Sequence, residues 1–248
     1  MIILRNPRHS WRGGFNCGFT RKKPRTPNKG SDLLLQLEYK IGDCLDLMRE
    51  FPDNHFDLLL TDPPYGIGEN TFRVNNRSKL AKTTDYGSFD WDIKVSREVI
   101  EEMVRVSKNQ IIFGGNYYAD WLPASSCWIV WNKDNTGCFA DCELAWTSFN
   151  TAVRMYRYRW NGMIQENMAK KEKRVHPAQK PIELFKWILE NYSNPGDLVL
   201  DPFLGSGTTL RACRETNRNC IGFEKNPEYE QLIKERAMLS TPYLESFA

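Results

Sequence analysis

From residue 35 onward, apolar and polar positions alternate between strand-like and helix-like segments. Leu35-Gln36-Leu37-Glu38-Tyr39-Lys40-Ile41 switches sides at every residue, the pattern of a half-buried strand. Gly42-Asp43 interrupts it, and Cys44 to Phe51 predicts a short helix. Phe56-Asp57-Leu58-Leu59-Leu60 is a brief apolar run closed by turn residues, as expected of a strand buried on both faces. Between Ser96 and Ser107, Val99, Ile100, Met103 and Val104 fall on one helical face and Ser96 can cap it. Gln110 to Phe113 predicts a strand ending at Gly114-Gly115, and Cys127 to Trp131 and Glu143 to Phe149 predict a terminal antiparallel hairpin. Residues 150–175 show no core periodicity. Pro181 opens a helix that turns Ile182, Phe185, Ile188 and Leu189 inward. Strand (Asp197 to Asp201), helix (Thr208 to Glu215) and strand (Asn219 to Glu224) follow, and Asn226-Pro227 starts a last helix. This alternation predicts an α/β fold with a mostly parallel sheet.

Two further stretches lack periodicity. Residues 1–31 are rich in Arg, Gly, Pro and Asn and read as a basic flexible arm preceding a single domain over 32–248. Gly66 to Asp90 reads as a long mobile loop over the carboxyl end of the preceding strand. No apolar run is long enough to span a bilayer, and Met1 to Leu4 is too short for a secretory segment. The seven cysteines are irregularly spaced, and the close pair Cys138 and Cys142 has no nearby histidine. Reduced thiols in a cytoplasmic protein are therefore expected, with no metal site.

The net charge of +3 hides an asymmetry. The first thirty residues hold eight Lys or Arg and no acid, and Arg154 to Lys180 hold eight against Glu166 and Glu172. Two basic zones on an otherwise acidic body suit a polyanion met on one side. In the second zone Arg154, Arg157 and Arg159 interleave with Tyr156, Tyr158 and Trp160. Arginine can hold phosphates or read base edges, and rings can stack. Arg154, Arg157, Arg159 and Trp160 are the candidates to touch a nucleic acid, in a short recognition insert at about 150–175; a plain amphipathic strand fits the same alternation.

The candidate chemistry begins with Thr61-Asp62-Pro63-Pro64-Tyr65, directly after a buried strand. In open α/β sheets the carboxyl ends of strands are where ligands bind. The two prolines fix the backbone and remove two donors, so their carbonyls are expected to be free to accept from a ligand. With the Asp62 carboxylate and the flat Tyr65 ring, they suit a planar ring bearing an exocyclic amine. Later, Leu198-Val199-Leu200-Asp201-Pro202-Phe203-Leu204-Gly205-Ser206-Gly207-Thr208-Thr209 runs from a strand through a glycine turn into a helix. Glycines allow a tight turn and close ligand approach, and a helix start favours an anion. Glu224 closes the next strand, a place typical for binding ribose hydroxyls.

These two strings, with His176-Pro177-Ala178-Gln179-Lys180-Pro181 and Gly222-Phe223-Glu224, resemble the DNA amino methyltransferases, which methylate the exocyclic nitrogen of adenine or cytosine. The matches cover roughly residues 37–236, and the Asp-Pro-Pro-Tyr element precedes the glycine turn, the order of that family's β group. The resemblance implies a Rossmann-like, doubly wound fold in circularly permuted order, with S-adenosylmethionine as cofactor. It implies catalytic roles for Asp62, Pro63, Pro64 and Tyr65. It assigns Asp43, Asp201, Phe203, Gly205, Ser206, Gly207, Thr208, Thr209 and Glu224 to the cofactor, with Lys180 beside it. Thr208 and Thr209 are expected to donate to the cofactor carboxylate. Asp43 is expected at the cofactor adenine amine, although an N-cap role explains it equally well. The implied partner is double-stranded DNA; a homodimer and a separate restriction endonuclease stay open, and the compact length suits a solitary phage or prophage enzyme in a bacterial cytoplasm.

Aspartate at position 62 leans toward adenine-N6, because cytosine-N4 members more often carry serine there. Cytosine-N4, an RNA or protein substrate, and an inactive DNA-binding relative remain as alternatives.

Overall fold

In the computed structural model, residues 35–67, 93–135, 140–161, 164–175 and 179–237 are described. The chain divides into residues 1–33 and 34–248, and the described residues all lie in the second unit. The basic arm, the expected loop beyond Ile67, Cys138 and the His176-Pro177-Ala178 half of the third motif lie outside the described residues.

The elements are β1 (Leu37–Ile41), α1 (Cys44–Met48), β2 (Leu58–Thr61), α2 (Arg97–Val106), β3 (Gln110–Phe113), β4 (Trp128–Asn132), β5 (Cys142–Thr147) and β6 (Arg154–Arg157). The short strands β7 (Trp160–Asn161) and β8 (Ile164–Gln165) follow, then α3 (Ile182–Tyr192), β9 (Leu198–Asp201), α4 (Thr208–Glu215), β10 (Asn219–Glu224) and α5 (Glu230–Arg236). Eight strands form one sheet in the order β1-β10-β9-β2-β3-β5-β4-β6. Among them only β5 runs antiparallel to its neighbours. The last two strands of the chain, β9 and β10, lie between its first two. From β9 the chain crosses to β10, whereas from β2 it crosses to β3 on the other side, so the carboxyl ends of β9 and β2 mark the switch point where such sheets bind ligands.

Residue-by-residue alternation splits the buried strands between two cores. Leu58, Leu60, Ile111, Phe113 and Val199 pack with α3 and α4 through Leu184, Ile188, Leu210 and Cys213. Leu59, Ile112, Leu200 and Ile221 face the other way onto Met48 and onto Val99, Ile100 and Met103 of α2. Burial on both faces explains why these strands read as unbroken apolar runs. The helices are capped as their sequences suggest: the Asp43 carboxylate accepts from Leu45 N at 3.0 Å and Ser96 Oγ from Val99 N at 3.4 Å.

The main departure from the sequence pattern lies at 150–175. Here the chain forms an edge strand, β6, which pairs parallel with β4 outside the β4–β5 hairpin, and then the β7–β8 hairpin. Polarity hides this strand: Met155 points outward at 65% exposure while Tyr156 stacks on Trp187 at 4.8 Å. Because β4 and β6 share the direction of β3, the end of β6 with Arg157 emerges at the same sheet edge as Asp62.

Candidate active site

The Asp-Pro-Pro-Tyr element leaves β2 at the sheet edge beside β9. Thr61 is its anchor: the hydroxyl, fully buried, donates to Asp201 Oδ1 at 2.7 Å. Asp201 Oδ1 also accepts from Phe203 N at 3.1 Å, and Oδ2 accepts from Thr209 Oγ1. One buried carboxylate thus fastens the strand with the glycine turn, the helix that follows and the Asp62 strand. Burial pushes Asp201 up to about 6, although the Thr209 and Thr61 hydroxyls oppose the rise. Asp201 and Thr209, both expected at the cofactor, are buried and bonded to each other within this frame.

The glycine turn has the predicted geometry. Gly205 and Gly207 have φ of 52° and 79°, in the left-handed region that strains other residues. Gly205 N–H donates to Glu224 Oε2 at 2.8 Å, and Asn226 N–H to Oε1 at 2.8 Å. Burial raises the Glu224 pKa against these bonds. Ser206 and Thr208 are buried and lie 3.4 Å apart at their hydroxyls, and Phe203 packs at the margin of the second core. Asp43 sits two strands away at the end of β1, capping α1 and pairing with Lys225 at 3.1 Å. Burial works to raise its pKa, but the Leu45 N–H and Lys225 outweigh it and hold the carboxyl below its usual range. Asp43, Glu224 and the two glycines therefore lie together at the carboxyl ends of the neighbouring strands β1, β10 and β9. They fit an elongated ligand with an anionic group at the α4 start and hydroxyls toward Glu224.

Around Asp62 the structure assembles more than the motif suggests. Its carboxylate accepts from the Tyr65 hydroxyl and pairs with Lys180. Lys180 Nζ also lies 3.2 Å from Glu143 Oε2, and Lys133 pairs with the other Glu143 oxygen. The proline after Lys180 starts α3 and leaves the Lys180 side chain, expected beside the cofactor, against Asp62. Burial works against the Lys180 charge, but Asp62 and Glu143 outweigh it and push its pKa above the ordinary value. Burial drives Asp62 upward, Lys180 opposes this, and Glu143 adds to the rise. Burial would also raise Glu143, but Lys180 and Lys133 hold it below its usual range.

Tyr65 lies flat in a tight frame. It stacks on Tyr117 at 4.9 Å and 21°, and its ring presses on Gly114, whose φ is 64°. A Cβ at Gly114 would come within 2.0 Å of that ring. The Tyr118 hydroxyl donates to the Pro64 carbonyl. That carbonyl is engaged by the protein, a correction to the expectation that both proline carbonyls serve a ligand; the Pro63 carbonyl remains the candidate. Tyr117, Tyr118, Lys133 and Glu143 were not foreseen. The pair Gly114-Gly115 ahead of Tyr117-Tyr118, and a charged Glu143 inside an apolar strand pattern, were the available signals.

Of the candidate DNA contacts, Arg157 and Arg159 both pair with the Asp134 carboxylate and stay largely exposed, at 61% and 43%. Arg154 starts the same edge strand. Trp160 is only 7% exposed and packs in the first core, so its ring is closed to a stacking base. Among the described residues no acid, histidine or cysteine cluster is arranged to hold a metal, and no helix is long and apolar enough to cross a membrane.

Residues 128–235 match the DNA methylase family model that spans N6 and N4 enzymes. The Type II methyltransferase M.HpaI of Haemophilus parainfluenzae is 28% identical over 235 residues, covering 79% of this chain and 72% of the relative. The crystal structure of the M1.HpyAVI–SAM complex is 26% identical, with a TM-score of 0.51 over 80% of this chain and 98% of that one. The cytosine-N4-specific PvuII DNA methyltransferase shares the fold, at 18% identity and a TM-score of 0.55 over 80% of this chain and 85% of that one. By its fold, its Asp62 and glycine-turn geometry and these matches, the chain is similar to the DNA amino methyltransferases, a group that spans adenine-N6 and cytosine-N4 enzymes.

Proposed function

We propose that this chain is an S-adenosylmethionine-dependent DNA methyltransferase of the β group that modifies adenine N6 in a base turned out of the duplex. The observation that carries the reading is the position of Asp62: a carboxylate at the end of β2, one strand from the glycine turn of β9. S-adenosylmethionine, when bound, supplies an electrophilic sulfonium methyl. Gly205, Gly207 and the start of α4 suit its carboxylate and Glu224 its ribose, with Asp43 near the adenine end.

The substrate amine is a poor nucleophile because its lone pair is delocalised into the ring. Asp62 and the Pro63 carbonyl act as two acceptors that fix the amine hydrogens and turn the lone pair toward the methyl. A carboxylate offers about four lone-pair sites, so Asp62 can hold Tyr65 and Lys180 and still accept from the amine. Holding the reactants in line supplies much of the rate. A base inside a duplex is out of reach, so it is extruded at a cost of a few kcal/mol, and the Tyr65–Tyr117 pair provides an aromatic surface for it. Arg157 and Arg159 at the same sheet edge suit phosphates, with Arg154 at the other end of β6. The M.HpaI relative favours a role in restriction-modification.

Incubation with S-adenosylmethionine and unmethylated DNA, followed by mass spectrometry of the nucleosides, tests the reading. N6-methyladenine is expected. N4-methylcytosine would keep the mechanism and replace the base. No methylated nucleoside would contradict the proposal.

A further inference from the structure

A buried carboxylate outside the recognised motifs stands beside the proposed reaction site. Phe113 at the end of β3 pairs in register with Ala145 of β5. Because β5 runs the other way, Glu143 projects two residues beyond that pair, over the sheet edge that carries Asp62. Its side chain is 22% exposed, with Oε2 3.2 Å from Lys180 Nζ and lacking a well-aligned hydrogen bond. Lys133 holds the opposite oxygen. The plain alternative is a Lys133–Glu143 pair that only stabilises the hairpin. The approach of Oε2 to Lys180 and its incomplete hydrogen bonding argue for more.

Lys180 poses a physical problem for the reaction proposed above. A buried ammonium given wholly to Asp62 would neutralise the carboxylate and occupy its acceptors. It would also repel an amine that becomes positive as the methyl arrives. An interaction of this kind weakens only slowly with distance inside a protein. A second carboxylate on the far side of the ammonium eases the problem, because it shares the Lys180 charge while Lys180 stays hydrogen-bonded to one Asp62 oxygen.

We propose that Glu143 is a positioning residue for methyl transfer, which holds the Lys180 ammonium between two carboxylates so that Asp62 keeps its basicity as a hydrogen-bond acceptor and its free lone pairs. This rests on the methyltransferase reading. The groups that face Asp62 are Lys180 from the segment before α3, Glu143 from β5, Tyr65 from its own loop and Asp201 from β9; Lys133 after β4 and Tyr118 stand behind Glu143 and Tyr65. Loss of the Glu143 charge removes a repulsion that favours protonation of Asp62. The acid limb of the rate profile then moves to lower pH while the plateau rate falls.

The test is single-turnover methylation by Glu143→Gln and Glu143→Asp across about pH 5 to 9, with cofactor and DNA affinities measured in parallel. Glu143→Gln is expected to lower the plateau roughly ten- to thirtyfold and to shift the acid limb downward. Both affinities should stay within about threefold of the wild type, and Glu143→Asp should recover part of the rate. A Glu143→Gln enzyme with wild-type plateau and limb would overturn the proposal. So would a parallel loss of rate and cofactor affinity that Glu143→Asp does not restore. Wild-type transfer is the control; its absence would refute the methyltransferase reading itself, and this proposal with it.

Discussion

The Thr61 hydroxyl donates to Asp201 Oδ1 at 2.7 Å, across the seam between the strand that carries the glycine turn and the strand that carries Asp62. The bond sets the spacing between the two halves of the site. Thr209 and the Phe203 amide complete the carboxylate's shell, so all three ligand-facing segments hang from one acid.

Asp201→Asn should destabilise the fold by about 1–3 kcal/mol near neutral pH, because the amide cannot accept all three bonds. The pH dependence has a definite sign. Burial lifts the folded Asp201 to about 6 from 3.8, so folding favours its protonated form. That contribution is complete below about pH 4 and is lost as pH rises through about 6. The deficit of the variant should therefore shrink by about 3 kcal/mol between acid and neutral pH. Urea denaturation at several pH values measures this; a constant difference would contradict the assignment.

Gly114→Ala should disable the site while leaving the rest of the sheet intact. The added methyl would meet Tyr65 at 2.0 Å, and the positive φ adds strain of about 1 kcal/mol or more. The Tyr65 ring must move, and its hydroxyl then leaves Asp62. Methylation should fall by about tenfold or more with cofactor affinity nearly unchanged. Comparable activity in the variant would show that Tyr65 needs no fixed seat.

Arg157→Ala with Arg159→Ala should weaken DNA binding at all sequences and reduce the slope of log affinity against log salt by about 2. Both guanidinium groups are exposed and share only the Asp134 carboxylate, which phosphates can replace. Anisotropy titrations over a range of salt provide the slope, and an unchanged slope would move DNA to another surface.

Trp160 should behave as a core residue. Trp160→Ala is expected to cost about 3–5 kcal/mol of stability. Trp160→Phe should be nearly neutral in DNA affinity, because the indole is buried and its N–H has no hydrogen-bond partner. A selective loss of DNA binding by the Phe variant would restore the stacking role expected from the sequence.

Much of the fold was legible because its strands obey simple patterning. Leu58 to Leu60 and Val199 to Leu200 read as strands since both faces are buried, and Gly205 and Gly207 marked a turn that only they adopt without strain. The edge strand β6 was legible only as the alternative that the Arg154 to Trp160 alternation offered, because an edge has one covered face and here Met155 points to solvent. At the site, Asp62, Tyr65 and Glu224 came from contiguous motifs. Glu143 and Tyr117 did not, because register and a left-handed glycine bring them in from distant strands. The hydrogen bonds to Asp201 and the Pro64 carbonyl were equally invisible, since one sequence does not reveal which acceptors the protein itself uses.

On the proposed function, Asp62 holds the amine that receives the methyl group. The most direct measurement of this role pairs single-turnover methylation with a cofactor-binding titration for Asp62→Ala. Transfer should fall by about a thousandfold or more while cofactor affinity stays within about threefold. An equal loss of both would contradict the account, since Asp62 would then serve the frame of the site and not its chemistry.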